Sequence, residues 1–170
     1  GVETMARTGP AAAAAGVAEH FMAEAVRLAA ASVDRGGGPF GALVVREGAV
    51  IGRGVNQVTR MNDPTAHAEI VAIREACAAL STFTLIGCEL YASCEPCPMC
   101  LGAIYWARLN RLSYACTRAD AAAAGFDDDY FYLQAALPPG DRDLPMVHLP
   151  VRGRREPFTR WAANPDRTPY

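Results

Sequence analysis

His67-Ala68-Glu69 and, further along, Pro96-Cys97-Pro98-Met99-Cys100 are the stretches on which the reading of this chain turns. They supply one imidazole, two thiols and one carboxylate. This mixture of nitrogen and sulfur donors suits zinc. His67, Cys97 and Cys100 make three protein ligands, which leaves the fourth tetrahedral position open, as in a catalytic site and unlike a closed structural one. Glu69 need not bind the metal. Each half alone is weak: His-x-Glu is common on exposed helices, and Cys-x-x-Cys also serves redox pairs and structural zinc knuckles. Their conjunction, with Pro96 before the first Cys and helical patterning after each half, is what carries weight.

Outward from these stretches, the chain alternates helices and strands. Val17 to Val33 has a helical apolar face of Phe21, Ala25, Leu28 and Ala29, and Gly36-Gly37-Gly38-Pro39 stops it. Phe40–Val45 and Val50–Val55 read as strands joined at Glu47-Gly48, a hairpin turn. Asn56–Asp63 reads as polar loop. Asp63-Pro64-Thr65 then opens a helix from Ala66 to Leu80, with an expected apolar stripe of Ile70, Ile73, Cys77 and Leu80. Glu89–Ser93 is a third strand, Cys97–Arg108 a helix beginning at the second motif, and Arg111–Cys116 a fourth strand. Shorter helical stretches follow at Ala119–Gly125, Tyr130–Leu137 and Pro157–Ala163, with a fifth strand expected near Met146–Leu149. A hairpin followed by strand–helix alternation predicts an α/β fold, a three-layer α/β/α sandwich with a mixed central sheet.

The bulk properties fit one globular domain over residues 17–170, of 170 in all. Residues 1–16, with an Ala11–Ala15 tract, read as a disordered or processed leader that lacks the order of a signal peptide. No apolar run is long enough to span a membrane. Six Cys without secretory signals suggest a reducing cytoplasm, and Cys77, Cys88 and Cys116 read as small buried hydrophobes. The net charge of −2 and the single basic cluster Arg152, Arg154 and Arg155 argue against a nucleic-acid partner.

The spacing places His67 and Glu69 at the start of one helix, and Cys97 and Cys100 one turn apart at the start of another. Helix N-termini stabilise thiolates. Zinc can lower the pKa of a bound water to ~7, and a carboxylate beside that water can move protons between it, a ring nitrogen and a departing amine. Glu69 is the candidate for that work. Cys94 and Cys97 also form a Cys-x-x-Cys pair, but a third sulfur would close the site, so Cys94 is read as structural.

The two motifs together resemble the signature of zinc-dependent nucleobase deaminases. Asn62–Glu69 and Ser93–Cys100 resemble the cytidine deaminase superfamily in its bacterial purine-deaminase branch, and both blocks look common to guanine and tRNA adenosine deaminases. Outside them, Gly38–Ala42, Leu101–Arg108, Ala124–Asp128 and Phe158-x-x-Trp161 with the terminal Tyr170 resemble guanine deaminases. The resemblance implies hydrolysis of guanine to xanthine and ammonia, with Zn2+ as cofactor and Glu69 and Asp128 as catalytic groups. It implies Phe40, Asn56, Ala68, Trp106, Asp128 and Tyr170 as substrate contacts. It also implies a homodimer in which the segment at about 156–170 is domain-swapped, setting Tyr170 over the neighbouring site.

Residue chemistry supports part of this. The guanine edge bearing N1–H and the 2-amino group presents donors, which a carboxylate such as Asp128 accepts, and Asn56 can both donate and accept. Other roles stay open on the residues alone: Asn56 as a turn residue, Asp127–Asp129 as a solvated loop or helix cap, Trp106 as plain core. The alternatives are a guanosine or broader aminopurine or aminotriazine deaminase, a tRNA adenosine deaminase, and a non-catalytic zinc module.

Overall fold

The structure, a computed structural model, describes residues 15–170. The leader expected over residues 1–16 lies outside them, apart from Ala15 and Gly16, which open the first helix. In order the elements are α1 (Ala15–Asp34), β1 (Gly41–Arg46), β2 (Ala49–Val55), α2 (Val58–Met61), α3 (Ala68–Leu80), β3 (Cys88–Cys94), α4 (Pro98–Trp106), β4 (Arg111–Cys116), α5 (Arg118–Ala123), α6 (Asp128–Ala136) and α7 (Glu156–Ala163).

The sheet runs β2-β1-β3-β4. β1 is antiparallel to both neighbours, and β3 and β4 are parallel, so the sheet is mixed as expected. Glu47 and Gly48 both take positive φ, the conformation a tight hairpin turn demands. Alternation sorts the central strands onto two faces. Leu43, Val45 and Tyr91 meet Phe21 and Ala25 of α1. Ala42, Val44, Leu90 and Ala92 meet Ala68, Ala72 and Ala76 of α3 and Ile104 of α4. The result is the three-layer α/β/α arrangement.

Five local expectations are corrected. The face that α3 buries is Ala68, Glu69, Ala72 and Ala76, whereas Ile70, Ile73, Cys77 and Leu80 are only partly covered. The reason lies in β2. Gly52 and Gly54 face α3 so closely that a β-carbon on either would overlap the helix backbone, so only alanines fit beneath. Helix α3 also begins at Ala68 rather than Ala66. The Asp63 carboxylate accepts from the Thr65 N–H (2.9 Å) and hydroxyl (2.7 Å), which holds these residues in a turn. The supposed loop after β2 contains the one-turn helix α2. Cys116 is exposed rather than buried, because β4 is the sheet's edge.

Met146–Leu149 is not a strand; among the described residues no strand pairs with it, and Val147 and Leu149 are about three-quarters exposed. Every residue from Asp143 to Tyr170 is exposed, although α7 carries Phe158 and Trp161.

Candidate active site

The site forms where three chain segments end together. Phe40 and Asn56 flank the open end of the β1–β2 hairpin and share a hydrogen bond, Asn56 N–H to the Phe40 carbonyl at 3.1 Å. Cys94-Glu95-Pro96 leaves the end of β3. Helices α3 and α4 point their N-termini at this edge. His67 occupies the N-cap position of α3 and Cys97 that of α4, both in extended conformation, and Pro98 follows at a position where a missing N–H is harmless.

His67 Nδ1 lies 3.5 Å from Cys97 Sγ and 3.4 Å from Cys100 Sγ. The three donor atoms all lie within 4.8 Å of one another, a spacing that can surround one ion. Among the described residues no other group of this kind is assembled. Cys94, also in the cavity wall, directs its thiol to the Thr117 carbonyl at 3.5 Å, and burial pushes its pKa up to about 12. It is not among the clustered donor atoms.

The electrostatics fit a divalent cation. A hydrogen bond from Cys100, then one from His67, brings the Cys97 thiol down to about 4. The same contact with Cys97, added to burial, pushes the Cys100 thiol far up. The pair therefore gives up one proton readily and a second only when a positive charge takes its place. His67 is raised by the same neighbour.

Glu69, two residues past His67 on α3, is buried within hydrogen-bonding reach of the Cys100 thiol, and its pKa is raised, by burial above all. A carboxyl held up in this way keeps a proton more readily than a free carboxylate does, as a proton shuttle requires. Asp128, at the start of α6, is half-buried and also raised, by burial first and the Cys97 charge second.

These groups line one cavity of ≈ 450 Å³, large enough for a small heterocycle, which also includes Gly36–Gly38, Val58, Thr59, Pro64, Glu95 and Phe126. Phe40 and Phe126 meet edge to face at 4.8 Å between centroids. Phe126 escaped notice as a site residue, although it lies in the Ala124–Asp128 stretch that resembles guanine deaminases, because its residue type alone does not separate it from core. The three glycines read as a helix stop, with Gly38 also opening the stretch that resembles guanine deaminases; Gly38 packs on the Asn56 side chain, where a β-carbon would come 2.8 Å from its Cγ. The Asn56 Oδ1 accepts from the Val58 N–H at 3.1 Å, so its turn role and its place in the wall are both realised.

His67, Glu69, Cys97, Asp128, Asn56 and Phe40 thus share one cavity, with Cys100 buried behind it. Ala68, Trp106 and Tyr170 do not join them. The Ala68 side chain is buried in the core between α3 and the sheet. Trp106, 65% exposed, lines a separate apolar groove with Ile70, Ile73, Phe83 and Tyr170, its ring 5.9 Å from that of Tyr170. It stands at the far end of α4 from Cys97.

This geometry defines a zinc-type hydrolytic site on an α/β sandwich, and sequence comparison agrees. The chain belongs to the cytidine and deoxycytidylate deaminase zinc-binding region family, which matches residues 16–116. It is a zinc-dependent hydrolase of that deaminase family, and the three residues brought together above could hold its metal.

Within the family it is 51% identical to guanine deaminase of Bacillus subtilis (strain 168) over 144 residues, 84% of this chain and 92% of that protein. A crystal structure of guanine deaminase from Bacillus subtilis superposes with a TM-score of 0.87 at 48% identity, covering 89% of this chain and 98% of that one. A tRNA-specific adenosine deaminase of Aquifex aeolicus (strain VF5) is 43% identical over 97 residues, 57% of this chain and 64% of that protein.

Proposed function

We propose that this protein hydrolyses guanine to xanthine and ammonia. The near full-length match to guanine deaminase carries the reading, since the tRNA deaminase likeness covers little more than half of the chain. The cavity wall supports it too: among the described residues it includes Glu69, Glu95 and Asp128 but no Arg, a poor setting for a phosphate and a suitable one for an uncharged base.

Zinc, when bound, supplies an acidified water and a positive charge beside it. The chain's own residues do the rest. Phe40 and Phe126 form the apolar wall against which the purine plane lies. The Asp128 carboxylate accepts from N1–H and the 2-amino group. Asn56, its Oδ1 engaged by Val58, offers its amide N–H to an acceptor on the base. Ala68 contributes through its backbone N–H, one of the free donors at the α3 N-terminus. Glu69 takes the proton released by the attacking water and passes it to ring nitrogen N3; it then takes the proton of the new C2 hydroxyl and delivers it to the 2-amino nitrogen, which leaves as ammonia as the C2–N bond breaks and the C2 carbonyl forms.

The assembly we infer is a homodimer with an exchanged C-terminal segment. β4 leaves one sheet edge open, and the exposed apolar stretch Leu144–Val151 finds no cover in its own copy. In such a dimer Tyr170 serves the neighbouring site. We place the enzyme in the cytoplasm, because its six cysteines are all free thiols; no helix among the described residues is long and apolar enough to cross a membrane.

Steady-state rates of ammonia release from guanine, guanosine, cytosine, adenine and ammeline test the proposal. Guanine is expected to be the preferred substrate. Preference for guanosine or ammeline would move the assignment to a nucleoside or aminotriazine deaminase.

A further inference from the structure

Asp128 is carried on α6, outside the sheet and outside the two helices that hold the metal ligands. Its distance from Cys97 and Glu69 therefore depends on what fastens α6 to the body of the protein. One turn along the same helix face is Tyr132. Its hydroxyl donates to the carbonyl of Pro96 at 2.5 Å. Pro96 is buried and immediately precedes Cys97.

The phenol ring lies beneath the Arg118 guanidinium, 4.4 Å from its carbon to the ring centroid. Arg118 Nε in turn lies 3.3 Å from Asp129 and 3.9 Å from Glu95, and its backbone N–H donates to Glu95 at 3.0 Å. Glu95 lines the catalytic cavity. A single clamp thus joins the first turn of α6 to the residues between β3 and α4.

We propose that Tyr132 is a positioning residue: through its bond to Pro96 and its place under Arg118 it fixes the Asp128 carboxylate relative to the metal motif, and so sets how tightly the base is held. This rests on the reading of the cavity as a guanine site. A tyrosine that merely filled space would work as well without its hydroxyl. Here the hydroxyl meets a buried carbonyl that α4 leaves outside its own ladder, and the two elements joined carry different halves of the site. Binding differs from chemistry in this scheme, because the Tyr132 hydroxyl bonds to the Pro96 carbonyl and not to Glu69 or a metal donor.

The test is a double-mutant cycle in guanine binding. The zinc-loaded E69Q protein is the parent, since binding can be read there without turnover, and Y132F, D128N and the two together are added to it. Y132F keeps the ring and its contact with Arg118. It is expected to weaken guanine binding by about five- to tenfold, the worth of one hydrogen bond, with zinc content unchanged. In the D128N background it is expected to cost nothing further. Unchanged guanine affinity in Y132F would overturn the proposal, and so would an equal loss in both backgrounds or loss of zinc. If the E69Q parent fails to bind guanine and the native enzyme fails to turn it over, it is the substrate reading that falls. The same cycle run with the base identified by the substrate panel then decides the role of Tyr132.

Discussion

Gly54 of β2 lies directly under Ala68 of α3, so close that a β-carbon at position 54 would overlap the Ala68 carbonyl and come 2.6 Å from the Ala72 nitrogen. The contact sets the depth of α3 at its first turn, where His67 and Glu69 emerge. An alanine stripe buries less apolar area than leucines would, at ~0.8 kcal/mol per CH2, but it lets backbone meet backbone and places the catalytic end of the helix firmly.

Gly54→Ala is therefore expected to destabilise by about 1–3 kcal/mol, the usual cost of overpacking a well-filled core. Gly102→Ala in α4, where a β-carbon meets nothing within 4 Å, is expected to be neutral or stabilising by up to ~1 kcal/mol. Urea midpoints of the two variants check this; equal midpoints would remove the packing argument.

Glu69→Gln tests the proton shuttle. The amide is isosteric and lies outside the metal donor set, so zinc content is expected to stay at the native level. Turnover is expected to fall by about 10²–10⁴, the range for a lost general acid–base. A non-catalytic zinc module predicts a silent substitution.

Cys97→Ser removes the sulfur that most readily carries negative charge, brought down to about 4 in its setting. Zinc content by metal analysis is expected to drop well below that of the native protein, and the thermal midpoint with it, because the stabilisation that comes from metal binding is lost. Chelation of the native protein should lower the midpoint in the same way. A Cys97→Ser protein that kept its zinc would displace Cys97 from the ligand set.

Tyr91 makes stability fall in alkali. Burial, then its hydrogen bond to Glu89 at 3.0 Å, raises its pKa to about 12, above the usual ~10. Between those values the unfolded chain releases a proton that the folded chain keeps. Stability from this group is thus complete below about pH 10 and declines as pH rises toward 12. Denaturation of native and Tyr91→Phe protein across that range should show a shallower decline in the variant; parallel curves would contradict it.

Most of the fold was legible in the sequence, and the reasons are physical. The β1–β2 hairpin announced itself through apolar runs around Glu47-Gly48, and β4 was bounded by residues of clear strand character. The metal donors were legible because zinc chemistry restricts both residue type and spacing. The buried face of α3 was not, because periodicity favours large apolar residues and cannot show that Gly52 and Gly54 lie opposite. Phe126 and the Gly36–Gly38 rim gain meaning only from what folds against them. Trp106 and Tyr170 could not be placed from sequence either: in a single copy they stand at the far end of α4. The stretch at Met146–Leu149 has strand character without a strand partner in its own chain, which sequence patterning cannot reveal.

Guanine is the base proposed to fit between Phe40, Asn56 and Asp128 and to lose its amine by Glu69-assisted hydrolysis. The most direct measurement is xanthine formation from guanine by the purified zinc-loaded protein, followed alongside ammonia. We expect equal amounts of the two products, with guanine outpacing guanosine, adenine and cytosine. No xanthine from guanine, with full zinc content and intact fold, would contradict it.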